Sequence, residues 1–376
     1  MKYYIIAGEA SGDLHGSNLI KEILKEDSGA QIRCWGGDRM AQAGGTLVKH
    51  YKDLAFMGFV EVLMNLFTIL KNFKFCKADI KEFKPDVLVL IDYPGFNLRM
   101  AKYAHKHGLK VFYYIAPQVW AWHTSRVKTI KKYVDKLYAI LPFEKAFFAK
   151  YDVDVEFYGH PLLDALSNYK PDMPFLITNG YAATSSDPRK IIVVLPGSRK
   201  QELKNIFPTM LATARLLPEY RFVVAATKQL SATYYQSFLQ DYPEVEIVYD
   251  HTYDLLSVAF AAMVKSGTAT LETALFQVPE VVCYKGNALS YRIARYLIRN
   301  IQYISLVNLI LNKEVVKELI QEDLNSTRLR SEMLKILKDP DFRNNQLLDY
   351  KCLISLVGEG GASKRIAASI KDEFYR

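Results

Sequence analysis

"IIAGEASGDLHG", Ile5 to Gly16, sets three glycines between an apolar strand pattern and a helical one. A strand that runs through a glycine loop into a helix is the opening unit of a doubly wound α/β fold, and such loops commonly hold a phosphate. Here the spacing is Gly8, Gly12, Gly16, not Gly-x-Gly-x-x-Gly, and Glu9 and Asp13 would repel a phosphate. The acids suit a ligand with hydroxyls, or a proton to be removed. Any phosphate is expected to bind elsewhere in the chain.

The same alternation continues outward. "VLVLID", "VFYYIA" and "KLYAIL" read as strands, with helical patterns such as "NLRMAKYAHKHG" between them. Short apolar runs, each followed by a helix, predict a parallel sheet covered on both faces. The pattern lapses in "NYKPDMPFLITNGYAATSSDPRK", whose prolines and polar cluster predict an interdomain linker over 168–190. It restarts with "IIVVLPGSRKQEL", "RFVVAA", "VEIVYD", "AAMVKSGTATLETAL" and "EVVCYK", and from Lys313 the tail reads as helical. The expectation is α/β: two Rossmann-like, doubly wound domains facing across a cleft, 1–167 and 191–350. A C-terminal helix, 351–376, should cross back to the first domain.

The 376 residues suffice for two domains, and half of them are apolar, as in a folded globular protein. The net charge of +9 favours an acidic partner: nucleic acid, a phosphorylated substrate or an anionic membrane. Cys34, Cys76, Cys283 and Cys352 lack metal or redox spacing, so reduced thiols and a cytoplasmic location are expected. No signal peptide precedes "KYYII", so export is not expected. The run Phe56 to Leu70 is shorter than the ~20 residues of a spanning helix and is interrupted by Glu61 and Asn65. It can lie on a membrane without crossing one.

Phosphate signals are stronger in the second half. After the strand ending at Leu195, Gly197, Ser198 and Arg199 form a turn before a helix, where backbone N–H groups and a guanidinium converge on one anion. Ser266, Gly267 and Thr268 repeat the form, and Glu272 lies one turn on from Thr268, placed to accept from ribose hydroxyls. Plain strand–helix turns with a surface arginine and a solvated glutamate would show the same letters. Two such turns in one domain point to a nucleoside diphosphate. "PQVWAWHTSRVKTIKKYVDK" interleaves Trp120 and Trp122 with Arg126, Lys128, Lys131 and Lys132. RNA stacking, a wall facing lipid phosphate, and ordinary core packing of the tryptophans all fit it.

Together "AGEASGDLHG", "GGDRMAQAG", "MGFVEVL", "APQVWAWHTSRV", "LPFEKAFF", "YGHPLLD", "LPGSRKQE", "SGTATLETAL" and "SLVNLI", in this order, resemble the lipid-A-disaccharide synthase family from about residue 3 to 375. The resemblance implies an inverting GT-B-type glycosyltransferase with no metal or cofactor. Its donor would be UDP-2,3-diacylglucosamine, its acceptor 2,3-diacylglucosamine 1-phosphate, and its products the lipid A disaccharide 1-phosphate and UDP. It implies UDP on the second domain near Arg199, Glu272 and Asn308, a role for Glu9, and dimers with exchanged C-terminal segments. It implies no nucleic-acid partner, and a location on the inner face of the inner membrane. Two departures stand out. Val307 replaces the proline of the family's Ser-Leu-Pro-Asn, and Gly95 in "DYPGFN" replaces a family acid that is a base candidate.

Inversion needs one carboxylate to take the acceptor's 6-hydroxyl proton. Asp92 ends a strand at the active edge and leads, although a helix cap there would look the same. Glu9 is second, and Asp86, which starts that strand, is third. His15 and His160 are expected to hold loops. For the acceptor and membrane side, Asp13, Trp120 and Arg126 join a stripe at helical spacing: Phe59, Leu63, Leu66, Leu70 and Phe73. Lys71, Lys74 and Lys77 follow it, and Arg292, Arg295 and Arg299 share a face in the second domain. Core packing and a solvated face would read alike. The competing functions are another enzyme acting on UDP-N-acetylglucosamine (an epimerase or a polyprenol-lipid transferase) and a non-catalytic nucleotide-sugar or lipid binder.

Overall fold

A computed structural model describes residues 1–54, 66–120, 124–167, 169–182, 187–287, 291 and 302–375. The chain divides into two compact units, one of Met1–Asn168 with Val357–Arg376 and one of Tyr169–Leu356.

The first unit holds β1 (Lys2–Ala7), β2 (Gln31–Gly36), β3 (Thr46–His50), β4 (Val87–Ile91), β5 (Lys110–Tyr114), β6 (Lys136–Ala139) and β7 (Glu156–Phe157). They form one parallel sheet in the order β3-β2-β1-β4-β5-β6-β7. β4 is buried along its whole length, as a strand covered on both faces must be. Alternation does the sorting in β1. Tyr4 and Ile6 pack with Trp35, Cys76 and Met100, while Tyr3, Ile5 and Ala7 pack with Leu19, Ile23 and the tail residues Ile366 and Ile370.

The second unit repeats the plan with β8 (Ile191–Leu195), β9 (Arg221–Ala226), β10 (Glu246–Tyr249), β11 (Ala261–Lys265), β12 (Glu280–Tyr284) and β13 (Lys317–Ile320). Its order is β10-β9-β8-β11-β12-β13, again all parallel. Strand β13 interrupts the tail that reads as helical from Lys313. "KELI" is short and half charged, an edge strand whose pattern does not differ from one helical turn.

Of the stretch expected as a linker, the described residues from Tyr169 on belong to the second unit. Asp254 accepts from the Tyr169 hydroxyl at 2.7 Å and the Asp172 N–H at 2.8 Å, and Asp172 caps the helix Met173–Thr178. The C-terminal helix Ala362–Tyr375 belongs to the first unit. Asp164 accepts from the N–H groups of Gly361, Ala362 and Ser363 at 2.6, 3.0 and 2.7 Å, and Lys371 donates to the Glu26 carbonyl at 2.8 Å.

Candidate functional site

In a doubly wound sheet the chain winds outward in both directions from two central strands, and the loops after those strands diverge to leave a crevice. In the first unit these strands are β1 and β4, so the crevice lies between Gly8–Glu9 and Asp92–Tyr93. In the second they are β8 and β11, so it lies between Gly197–Arg199 and Ser266–Thr268. Both glycine loops and the leading base candidate thus fall at switch points.

In the first unit the loop glycines serve close packing. A Cβ on Gly8 would sit 2.3 Å from the Tyr93 ring, and one on Gly16 would sit 2.7 Å from the Met40 sulfur. Asp92 and Tyr93 both adopt left-handed backbone, at φ +44 and +49. Two such non-glycine residues in a row are strained, and the surroundings hold them there. The Asp92 carbonyl accepts from Asn97 Nδ2 at 2.8 Å and from the Tyr113 hydroxyl at 2.6 Å. Asn97 Nδ2 also donates to the Ile91 and Ile6 carbonyls. Tyr93 is the N-cap of the helix Pro94–Lys106 and its own side chain makes no cap hydrogen bond, while the Asp92 carboxyl accepts from the Tyr93 N–H. Burial, and then the charge of Glu9, push the Asp92 carboxyl up to about 6. The Tyr113 hydroxyl feels both Asp92 and Arg126, which places these two charges in one neighbourhood. A Cβ on Gly95 would meet nothing within 4 Å, so this position offers open space and no acid.

Other acids of this unit stand apart from that neighbourhood. Asp86 accepts from the Lys2 N–H at 2.8 Å at the start of β4. It lies roughly 20 Å along the strand from Asp92 and cannot share its proton. Asp13, expected on the acceptor side, is buried. It accepts from the N–H groups of Gly37, Arg39 and Met40 at 2.7, 3.3 and 3.1 Å, so it caps the helix Asp38–Gln42. Trp120 is half-buried, edge-on to Phe143 at 4.9 Å. His15 and His160 are buried and held neutral, with burial pulling them down to about 4 and about 3.

The apolar stripe divides. Phe59 and Leu63, with Trp122 and the three arginines from 292 to 299, lie outside the described residues. Leu66 opens the helix Leu66–Phe83. Leu70 is 55% exposed, and Phe67, which the stripe omitted, is 87% exposed. Phe73 is buried and stacks on Phe96 at 4.3 Å, so it is core.

In the second unit Gly197 has φ +109, and Gly267 has φ +152 before the helix Thr268–Leu275. Thr268 is exposed at the start of that helix, and Ser266 donates to the Ile304 carbonyl at 3.2 Å. Glu272 is half-buried and accepts from the Tyr253 hydroxyl at 2.7 Å; burial raises its pKa. Asn308, expected among the nucleotide ligands, is fully buried, and its side chain is occupied within the protein. Its Nδ2 donates to the Val316 carbonyl and Glu318 at 2.8 and 2.9 Å, and its Oδ1 accepts from the Val315 and Val316 N–H groups at 2.8 and 2.9 Å. It shapes the 304–318 segment, to which Ser266 is tied at Ile304.

Two residues of this site were not singled out from sequence. Glu202 accepts from the Ser198 and Arg199 N–H groups at 3.1 and 3.3 Å, and Lys265 bonds its other oxygen at 2.8 Å. Glu202 was findable, because it sits three residues after the helix cap Arg199, the capping-box spacing. Among the described residues no three His, Cys, Asp or Glu side chains converge as a metal site.

Comparison with known proteins adds to this geometry. Residues 3–369 match the family model described as lipid-A-disaccharide synthetase. Lipid-A-disaccharide synthase of Syntrophus aciditrophicus is 41% identical over 369 residues, which span 96% of this chain and 95% of the relative. That of Coxiella burnetii (strain CbuG_Q212) is 36% identical over 377 residues, 99% of this chain and 98% of the relative. Among solved structures, UDP-GlcNAc 2-epimerase from Neisseria meningitidis bound to UDP-GlcNAc covers 99% of this chain and 100% of its own, with TM-score 0.69 and 14% identity. The glycotransferase of kitacinnamycin covers 99% of both chains, with TM-score 0.66 and 15% identity. These two show the shared fold alone. Matched over nearly its whole length, and with relatives at this identity, the chain belongs to the lipid-A-disaccharide synthetase family.

Proposed function

We propose that this chain is the glycosyltransferase that joins UDP-2,3-diacylglucosamine to 2,3-diacylglucosamine 1-phosphate in lipid A biosynthesis. Family membership carries the reaction. One observation supports the division of labour: the residues proposed for each half of the chemistry sit at the switch point of their own sheet. The second unit takes the UDP. Arg199 and the loop Ser266–Thr268 face the diphosphate, Glu272 faces the ribose, and Asn308 supports that loop without touching ligand. The first unit takes the acceptor, with Asp92 as base.

In the chemical step the acceptor's 6-hydroxyl oxygen bonds to the anomeric carbon, on the face opposite the diphosphate. The bond from that carbon to the β-phosphate oxygen breaks, and UDP leaves with its electron pair. The hydroxyl proton passes to the Asp92 carboxylate, whose raised pKa suits a base working near neutral pH. Cations around the diphosphate stabilise the charge that develops on UDP.

Both substrates carry acyl chains, so the enzyme works at a bilayer surface. The exposed Phe67 and Leu70, beside exposed Lys71, Lys74 and Lys77, supply apolar insertion with cationic attraction. No helix among the described residues is long and apolar enough to cross a membrane.

Incubating the purified protein with both acylated substrates tests the reading. Stoichiometric UDP and disaccharide 1-phosphate are expected, each requiring both substrates. Conversion of UDP-N-acetylglucosamine without an acylated acceptor would assign the epimerase chemistry instead.

A further inference from the structure

The two switch-point loops of the second unit are joined by an ionic cluster that leaves one cation unassigned. Glu202 lies across the first loop. Its Oε2 accepts from the Ser198 and Arg199 N–H groups at 3.1 and 3.3 Å, and the Arg199 guanidinium is 3.9 Å from its Oε1. The close approach requires a glycine, because a Cβ on Gly197 would sit 2.5 Å from Glu202 Oε2. The same carboxylate holds Lys265, the last residue of β11, at 2.8 Å. Burial alone would raise the Glu202 pKa, but Lys265, the Ser198 N–H and the Arg199 charge keep it below its usual value, so it stays anionic.

This arrangement changes which groups meet a diphosphate. The N–H groups of Ser198 and Arg199, the donors a phosphate at the first loop would use, are already bonded to a carboxylate of the protein. Lys265 is differently placed. Its Nζ is 3.6 Å from where a Cβ would stand on Gly267, the N-cap of the helix Thr268–Leu275. Its side chain is 22% exposed, so solvent screens it only in part. An ammonium has three donors, and Glu202 engages one side of it.

We propose that Lys265 is a diphosphate-contacting residue of this enzyme, held between the two loops by Glu202 and aimed at the anion over Gly267. The assignment rests on the second unit being the UDP site. A lysine that merely tied the two loops together would matter equally for every ligand of the site. A lysine that touches the diphosphate matters in proportion to the phosphates the ligand carries.

The test compares uridine, UMP and UDP on the wild-type chain and on Lys265→Met, Lys265→Gln and Lys265→Arg. Calorimetry serves for the nucleotides and ligand-observed NMR for uridine. Both neutral variants should weaken UDP by about tenfold or more, the scale of one lost charge-assisted hydrogen bond. UMP should weaken by no more than UDP, and uridine should be unchanged. Lys265→Arg should retain most of the UDP affinity. Equal weakening of all three ligands, or unchanged UDP affinity in the neutral variants, overturns the proposal while the UDP site stands. A wild-type chain that binds no UDP overturns the site and this inference together.

Discussion

Asp92 carries the first prediction at the scale of single residues. A base acts only when ionised, and this carboxyl is pushed up to about 6 by burial and by Glu9. The rate should therefore fall as pH drops through about 6, giving kcat/KM an acid limb there. Asp92→Asn should lower kcat by roughly two orders of magnitude or more, the scale of a lost general base, with UDP affinity kept. Glu9→Gln should move the acid limb to lower pH, because it removes a negative charge that favours the protonated form. An acid limb that persists in Asp92→Asn would assign the base elsewhere. Asn308 makes the contrasting case. Asn308→Ala breaks four hydrogen bonds of a buried side chain, so it should cost several times the ~1 kcal/mol of one such bond. Its loss of UDP affinity should come with a lower Tm; lost affinity at unchanged Tm would make it a direct ligand. The difference between these residues explains what was legible. Asp92 follows an apolar run, so its position at a strand's carboxyl end can be read from the letters. Asp13 and Asn308 are bonded to backbone distant or folded back in space, and residue type alone does not reveal such partners.

At the scale of elements, the helix Leu66–Phe83 shows what periodicity resolves. Phe73, Cys76 and Ile80 face the core, while Phe67, Leu70, Lys71 and Lys74 face solvent. The helix is apolar on both sides at its start, so a stripe drawn at spacings of three and four passes from one face to the other at Phe73. The consequence is measurable by vesicle sedimentation with anionic lipids. Phe67→Ser with Leu70→Ser should reduce vesicle binding and leave the thermal transition nearly unchanged. Phe73→Ser should destabilise the fold by about 3 kcal/mol or more. Vesicle binding that survives the double change would place the insertion elsewhere. Turns and strands followed the sequence closely where the chain was apolar and punctuated by glycine, as at Gly197 and Gly267. The edge strand β13 did not, because four half-charged residues carry no period.

At the scale of the whole molecule, two sheets of the same winding account for where the candidate residues lie, at the switch point of each sheet. This much was visible in the alternation of apolar runs and glycine turns. The crossing of the tail to the first domain was expected over 351–376; the first unit takes it from Val357, and alternation could not give that boundary because the residues before it continue the helix Pro340–Val357. The helix Ala362–Tyr375 buries Ile366 and Ile370 against Leu19 and Ile23 of the opening helix. Ile370→Ala should cost ~2–5 kcal/mol, read as a lower denaturant midpoint of the first unit. An unchanged midpoint would mean that the tail is dispensable there.

That helix also sets a timetable. Synthesis proceeds from the amino terminus, and domains generally fold as they emerge. The second unit, Tyr169–Leu356, is one continuous stretch and can fold as soon as it has left the ribosome. The first unit is made earliest, yet one wall of its core arrives only with Val357–Arg376. Until then Leu19, Ile20 and Ile23 of the helix Ala10–Glu26 pack on their own sheet but lack the cover of Ile366 and Ile370, and the half translated first is the half completed last. A released chain truncated after Leu356 would expose that side to chaperones and proteases, while its continuous second unit stayed resistant.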